Sequence, residues 1–469
     1  MNFLDQKGKR VHLLGIGGVG MTALAWYLAD CGWKVSGSDC NDFRMRNLLE
    51  SKGITVHTHH DPSFSDHIDL LIYSSAVPQD LPELSRARQN CVPLYERMEA
   101  IHKILQTKKL VGVTGSYGKS TTTTFVSSMM QKAGMNPNWL IGADLLHYPP
   151  AHYADSSWMV LECDESKSKF LSVLPQSLLI TNVGKDHLQE YEHSMEKLAE
   201  AFASLAEKVP QEGCVVINGD DPLLTSYIKN VKGKAQVIRC GNNEKSEFYF
   251  SELHTKWNGS RFTSHFMVNT PEGRHIQAQI PMPGWQNILD ALMAYALIFF
   301  YTKQLPGGDY FSSLPIMDRR MEVKTTYKNC IVLDDEGDSP DVIEWALKAL
   351  RSYFPEKKIV SVVQPHRFSR LSNLFEEYAR VLCQNASDIM LLPVYSAGEL
   401  PLDGVNSSTL AKKIRDLGFQ GTVDLVEDHQ EAAQKLQSEL NNDTLVITMG
   451  PGDVWRVGDL LSDYVKTQP

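Results

Sequence analysis

The stretch from Leu110 through Val-Gly-Val-Thr-Gly-Ser-Tyr-Gly-Lys-Ser to Thr121 constrains this chain more than any other. An apolar strand over Leu110 to Val113 runs into glycines at Gly112, Gly115 and Gly118, and Lys119-Ser120-Thr121 opens a helix directed at Gly134. Glycines at this spacing let the backbone turn tightly with its N–H groups inward, and a helix N-terminus adds partial positive charge. Lys119 supplies a point charge for outer phosphates, and Ser120 a hydroxyl able to ligate Mg²⁺. A strict phosphate loop has a glycine five residues before Gly118; Val113 stands there, so the loop is a variant. The competing reading is a glycine-rich strand-to-helix turn with no ligand. The stretch predicts an α/β fold and a chain that spends ATP.

At 469 residues the chain is too long for one ordinary core, and two to four domains are expected. A net charge of −10 argues against nonspecific nucleic-acid binding, which needs basic patches. Small-molecule partners are expected, and no membrane partner. The start, 1–10, lacks an apolar run with a small-residue cleavage site, so no signal peptide is expected. The longest apolar run, Ala291 to Tyr301, is too short to span a bilayer and suits a buried helix. The eight cysteines form no Cys-x-x-Cys pair, which predicts reduced thiols in a cytoplasmic protein and no zinc site.

The first segment, 1–108, alternates strand and helix. Strands are predicted at Val11–Leu14, Lys34–Ser38 and Asp69–Tyr73, in a βαβ order that implies a parallel sheet. Gly15, Gly17 and Gly20 fit G-x-G-x-x-G, with Asp39 near the spacing of an acidic ribose contact. The motif alone is weak. It admits a nicotinamide or flavin dinucleotide, any other pyrophosphate such as that of a UDP-sugar, or a tight turn without a ligand.

The second segment, 109–315, begins with the phosphate loop. Strands at Trp158–Leu161 and Ser177–Ile180 end in Glu162-Cys-Asp-Glu165 and Thr181-Asn182. Ligands of open α/β sheets bind beyond the carboxyl ends of strands, so both clusters fall on the edge that carries Lys119. Glu162 is a candidate ligand, directly or through water, for the Mg²⁺ on ATP; His187 is a candidate ligand for a second cation or a phosphate, or an ordinary surface or capping histidine. Asp164 and Glu165 read as a solvated acidic turn. Alternation from 247 to 280 around Asn258-Gly259 and Glu272-Gly273 predicts added hairpins. The third segment, 316–469, again alternates. His366, Arg367 and Arg370 follow a strand at Ile359–Val363, either as a carboxylate or phosphate site or as surface cations paired with Glu376 or Glu377.

Three such segments, with the phosphate loop opening the second, resemble the Mur ligase family over nearly the whole length. The resemblance rests on Gly15 to Met21 with Ser36-Gly-Ser-Asp39, on Ser74-Ser75-Ala76-Val77, and on Arg97-Met-Glu99. It continues through Gly115 to Thr122, Glu162 to Ser166 with Phe170-Leu171, Thr181-Asn182 and Asp186-His187-Leu188. The last segment adds Arg319-Arg320-Met-Glu322, Asp334-Asp335, Gln364 to Arg370 and Tyr395 to Glu399. It implies a Rossmann-like N-terminal domain, a P-loop ATPase-type central domain with added β hairpins, and a Rossmann-like C-terminal domain. It also implies an ATP- and Mg²⁺-dependent ligase of peptidoglycan precursor synthesis, joining the carboxylate of UDP-N-acetylmuramate to an amino acid, L-alanine first, through an acyl phosphate. A paralogue with another acceptor or a recycled peptide is the alternative, and an NAD-dependent oxidoreductase a more distant one.

By resemblance, Gly15, Gly17, Gly18, Gly20, Asp39, Ser74 and Ser75 face the UDP-sugar. Gly115, Ser116, Gly118, Lys119, Ser120, Thr121, Asn287, Arg320 and Asp335 face ATP. Ser120, Glu162 and His187 stand by the metal, and His366, Arg367, Arg370 and Glu336 by the amino acid. Lys119, Glu162, His187, His366 and Arg370 are the expected catalytic set. The largest departure from the family follows Asp335. Where the family has Tyr, a small residue and His-His-Pro, this chain has Glu336-Gly337-Asp338-Ser339-Pro340. Two added carboxylates there would favour a cationic acceptor.

Overall fold

The computed structural model describes residues 7–165, 171–186, 188–441 and 443–468. Three sheets carry the chain. The first contains β1 (Arg10–Leu14), β2 (Lys34–Ser38), β3 (Thr55–His57), β4 (Leu70–Tyr73) and β5 (Leu94–Glu96), all parallel in the order β3-β2-β1-β4-β5. The order reverses between β1 and β4, which is where such a sheet opens a crevice for a ligand.

The second sheet comprises β6 (Lys109–Thr114), β7 (Asn138–Leu140), β8 (Ala151–His152), β9 (Trp158–Glu162), β10 (Pro175–Ile180), β11 (Cys214–Asn218), β12 (Gln236–Gly241), β13 (Phe248–Trp257), β14 (Phe262–Asn269) and β15 (His275–Ile280). Its order is β15-β14-β13-β12-β11-β10-β6-β9-β7-β8, and β6 runs parallel to both of its neighbours, β9 and β10. The polar ends of β9 and β10 therefore flank the loop that leaves β6. The hairpins expected around Asn258-Gly259 and Glu272-Gly273 are β13–β14 and β14–β15, closed by Asn258 N–H to Arg261 O (3.2 Å) and Thr270 N–H to Arg274 O (3.1 Å).

The third sheet holds β16 (Glu322–Tyr327), β17 (Cys330–Asp335), β18 (Lys358–Val363), β19 (Asp388–Leu391), β20 (Val423–Leu425) and β21 (Thr444–Met449), in the order β16-β17-β21-β18-β19-β20 with only β16 antiparallel. Side chains alternate along each strand, so β17 sends Ile331 and Leu333 into one core and Cys330 and Val332 into the opposite one. Burial on both faces is why these strands read as unbroken apolar runs.

The chain divides into two compact units. One comprises Met1–Leu253, Phe266–Gln279 and Trp285–Ile316; the other His254–His265, Ile280–Gly284 and Met317–Pro469. The first unit contains the first sheet and nearly all of the second. A reason lies in the helix Val19–Asp30, whose buried residues from Met21 to Leu28 leave only Trp26 in that span partly exposed. A helix apolar all round needs cover on every side. Its Tyr27 hydroxyl donates to Asn138 Oδ1 of β7 at 3.0 Å. The helix Trp285–Thr302 buries every residue from Ile288 to Ile298, as its apolar run predicts. All eight cysteines are free thiols, and among the described residues no helix is long and apolar enough to cross a membrane.

Candidate active site

The phosphate loop is built as the glycine spacing predicts. β6 ends at Thr114, and the helix Lys119–Lys132 begins after four residues. Gly115 has φ +130°, and a Cβ there would fall 2.1 Å from Thr181 Oγ1 and 3.0 Å from the Asn182 nitrogen. Gly118 caps the helix at φ +82°, with Asp290 Oδ2 2.9 Å from where its Cβ would be. Only glycine fits either position without strain. Thr181 Oγ1 and Asn182 Nδ2 donate to Tyr117 O (2.6 and 2.9 Å), Asn182 Oδ1 accepts from Tyr117 N–H (3.0 Å), and Ser116 Oγ accepts from Gly184 N–H (2.8 Å). The end of β10 thus fixes the loop's shape. The helix start has no side-chain cap and no acidic residue in its first turn, which suits an anion. Gly115→Ala should lower stability by about 2–4 kcal/mol through both the clash and the positive φ. Thermal unfolding with and without ATP measures this: a lower melting temperature and loss of the ATP-induced shift are expected.

Lys119 Nζ donates to Gly115 O (2.7 Å), Ser116 O (3.2 Å) and Glu165 Oε1 (2.8 Å). Glu165 is fully buried, so the expectation of a solvated acidic turn is corrected: Asp164 is exposed, but Glu165 turns inward onto the lysine. Burial pushes the Glu165 carboxyl up to about 7, with Lys119 opposing the rise. Burial works against the Lys119 charge, yet Glu165 and Asp164 outweigh it and hold the ammonium above its usual value. Glu165 carried no sequence signal beyond its place at the exit of β9.

Glu162, the last residue of β9, accepts from Gly142 N–H at 2.8 Å, and the nearby Ser120 hydroxyl favours its charged form. Burial raises its carboxyl above the ordinary range against those contacts and Lys119. A hydroxyl near a carboxylate offers hard oxygen donors that fit Mg²⁺, which takes few protein ligands and completes its shell from phosphate and water. His187 lies outside the described residues. Thr121 is buried in the first turn of the loop helix, and Asn287 lies one turn from Asp290 on Trp285–Thr302.

At the end of β1, Gly15 takes φ +75° and packs against Ser74 at the end of β4; a Cβ would lie 3.2 Å from that of Ser74. Gly18 N–H returns to Gly15 O at 3.2 Å. Asp39 accepts from Gly17 N–H (3.0 Å) and Asn41 N–H (3.0 Å), so this carboxylate shapes the glycine turn itself. Ser75 is exposed beside Ser74. Arg97, given no role by its motif, stands over Gly20, with Nη1 2.5 Å from where a Cβ would be. A capping box between Glu96 and Glu99 holds it there.

The second unit gathers the remaining candidates at the ends of β17 and β18. Asp335 accepts from Met321 N–H (2.9 Å) and Gly337 N–H (2.8 Å), and burial raises its carboxyl despite nearby Arg320. Arg320 Nη2 pairs with Glu336 Oε2 at 3.2 Å. Arg367 has φ +65° and donates its N–H to Tyr395 O at 2.8 Å, while the His366 ring stacks on Tyr395 with centroids 5.7 Å apart. Arg370 pairs with Asp338, not with Glu376, which binds Lys413 instead. The expectation for Glu336 changes too: in this structure its partner is Arg320, and Asp338 is the acid that meets Arg370.

Family models match three consecutive stretches: the Mur ligase family catalytic domain at 10–109, the Mur ligase middle domain at 113–298 and the Mur ligase glutamate ligase domain at 319–452. The chain is 33% identical over 462 residues to the UDP-N-acetylmuramate--L-alanine ligase of Dictyoglomus turgidum, covering 97% of this chain and 96% of the relative. The chain belongs to the Mur ligase family. It is an ATP-dependent, amide-forming ligase of that family's three-domain α/β architecture. A protein of the same description from Desulfatibacillum aliphaticivorans is 30% identical, over 97% of this chain and 98% of the relative. Among solved structures, the UDP-N-acetylmuramate-alanine ligase of Thermotoga maritima superposes with a TM-score of 0.80 at 25% identity, covering 98% and 99% of the two chains. A murein peptide ligase from Psychrobacter arcticus shares the fold, with a TM-score of 0.70 at 18% identity over 98% and 100%.

Proposed function

We propose that this Mur ligase joins UDP-N-acetylmuramate to L-alanine in cytoplasmic peptidoglycan precursor synthesis, using ATP and Mg²⁺. The observation that carries the reading is the match, end to end and at 33% identity, to a relative described as performing that reaction. The oxidoreductase alternative leaves the phosphate loop and the third sheet without a task.

The first step attaches an oxygen of the sugar carboxylate to the γ-phosphorus; the bond to the β–γ bridging oxygen breaks and ADP leaves with the electron pair. In the second, the amine nitrogen attacks the carbonyl carbon of the acyl phosphate. The carbon–oxygen bond to phosphate breaks, phosphate departs, and the nitrogen gives up its proton. Phosphoryl transfer of this kind depends on position and charge neutralisation. In this reading, Lys119 neutralises the γ-phosphate, the N–H groups of 115–120 cradle the chain of phosphates, and Ser120 and Glu162, with His187, hold Mg²⁺. Bound Mg²⁺ would supply charge neutralisation at the transferred phosphoryl group. Asn287, Arg320 and Asp335 are assigned to the nucleotide, and Gly15 to Gly20, Asp39, Ser74 and Ser75 to the UDP moiety. His366, Arg367 and Arg370 are assigned to the acceptor and the reacting centre.

Phosphate release measured with the full chain tests the reading. Release should require ATP, UDP-N-acetylmuramate and L-alanine together. Release with a peptide acceptor and not with L-alanine would replace the proposal by the peptide-recycling alternative.

A further inference from the structure

We propose that Asp338 and Arg370 form a two-charge cradle for the α-ammonium and α-carboxylate of one amino acid, so that this chain accepts a free amino acid and not a peptide. The inference rests on the ligase reading above and narrows its acceptor.

Asp338 lies in the run where this chain departs from its family, and that run is pinned residue by residue. Glu336 N–H donates to Arg319 O at 2.8 Å, and Gly337 N–H to Asp335 Oδ1 at 2.8 Å. The carbonyl of Asp338 accepts from the Tyr378 hydroxyl, and Ser339 Oγ caps the helix Pro340–Tyr353. A Cβ at Gly337 would fall 2.8 Å from both Asp335 Oδ1 and Val342 Cγ1, so the turn also needs its glycine. Arg370 is fixed from the opposite side. Its helix, Phe368–Asn373, is anchored where Ser369 N–H and Oγ both donate to Glu399 (2.9 and 2.7 Å). His366 Nδ1 stands 3.9 Å from Asp338 Oδ2.

The two paired side chains are 13% and 20% exposed, so they are largely withdrawn from water yet still reachable. An ion pair in that position contributes little net stability, because desolvation offsets its attraction. It does provide one positive and one negative partner side by side. An α-amino acid carries its carboxylate and ammonium on the same carbon, and can meet both at once. The guanidinium offers the carboxylate a bidentate fork, and Asp338 accepts from the ammonium. A peptide separates its two termini by at least a residue, about 3.3–3.6 Å for each one added, and so leaves one charge of the pair without a ligand partner. The same pairing removes the ground on which a cationic acceptor was expected. Glu336 and Asp338 already face Arg320 and Arg370, so the run adds no surplus negative charge.

The test uses the full chain with ATP, Mg²⁺ and UDP-N-acetylmuramate, and reads phosphate release with a panel of L-amino acids. The best of them is then compared with its methyl ester and with the dipeptide it begins. The ester and the dipeptide should each raise KM about tenfold or more. Asp338→Asn should raise KM for the amino acid about tenfold or more while KM for ATP stays within about twofold, with Asp338→Glu recovering part of the loss. A dipeptide used as well as the amino acid, or an Asp338→Asn enzyme with an unmoved amino-acid KM, overturns the cradle. ADP–ATP exchange by the wild-type chain with the sugar and no amine checks the ligase reading separately. Its absence would bring down that reading and the cradle with it.

Discussion

Replacing Lys119 with alanine should reduce kcat/KM by about 10³-fold or more, because a cation placed on a transferring phosphoryl group is worth that much. The same change also strands Glu165. Its carboxylate is fully buried and has the Lys119 ammonium as an ion-pair partner at 2.8 Å. Removing one member of a buried pair destabilises, here by about 2 kcal/mol once protonation of the acid relieves part of the penalty. Lys119→Ala combined with Glu165→Gln should therefore regain most of the melting temperature and none of the turnover. A double variant that regained turnover would show that Lys119 acts only by supporting the fold. The pair has a pH signature as well. With its carboxyl raised from 4.5 to about 7 in the folded chain, Glu165 binds its proton more tightly there than in the unfolded chain. Its contribution is therefore full below pH 4.5 and declines as pH rises to about 7. Subtracting the profile of Glu165→Gln from that of the wild type isolates this slope.

The second large effect is expected at Glu162. Glu162→Gln keeps the acceptor for Gly142 N–H but removes the charge that suits a divalent cation, and should lower kcat by about 10²-fold. The Mg²⁺ concentration giving half-maximal rate should rise with it. Burial lifts the Glu162 carboxyl above its ordinary value, so in the wild type the metal site should fail as pH falls through that raised value. A chelator should abolish turnover, and excess Mg²⁺ should restore it. Unchanged Mg²⁺ dependence in Glu162→Gln would remove this residue from the metal site.

Strand positions were readable for most strands with both faces buried, though not for the short Asn138–Leu140, which is buried throughout. Lys34–Ser38 matches the expected bounds, and most other strands gain one or two residues at an end, where hydrogen bonding outlasts the apolar run. The phosphate loop was readable because glycines at fixed offsets answer to backbone geometry, and Gly115 and Gly118 both take positive φ. Long-range pairing was not. Nothing near Glu165 in the chain indicates that it turns inward to Lys119, 46 residues away, since an exposed and a buried acidic turn share the same local pattern. Likewise Glu336 and Asp338 read as two free carboxylates, because the arginines that face them come from other elements. The link from the first sheet to the second is not legible in the sequence, because the helix Val19–Asp30 has the pattern of an ordinary crossover helix and its contact with Asn138 is long-range.

One labelling experiment bears most directly on the claim that a sugar carboxylate is activated by the terminal phosphate of ATP. UDP-N-acetylmuramate carrying ¹⁸O in its carboxylate is turned over with ATP and L-alanine, and the released inorganic phosphate is weighed by mass spectrometry. The acyl-phosphate route predicts phosphate bearing one ¹⁸O from each labelled bridge; unlabelled phosphate released alongside the amide product would contradict it.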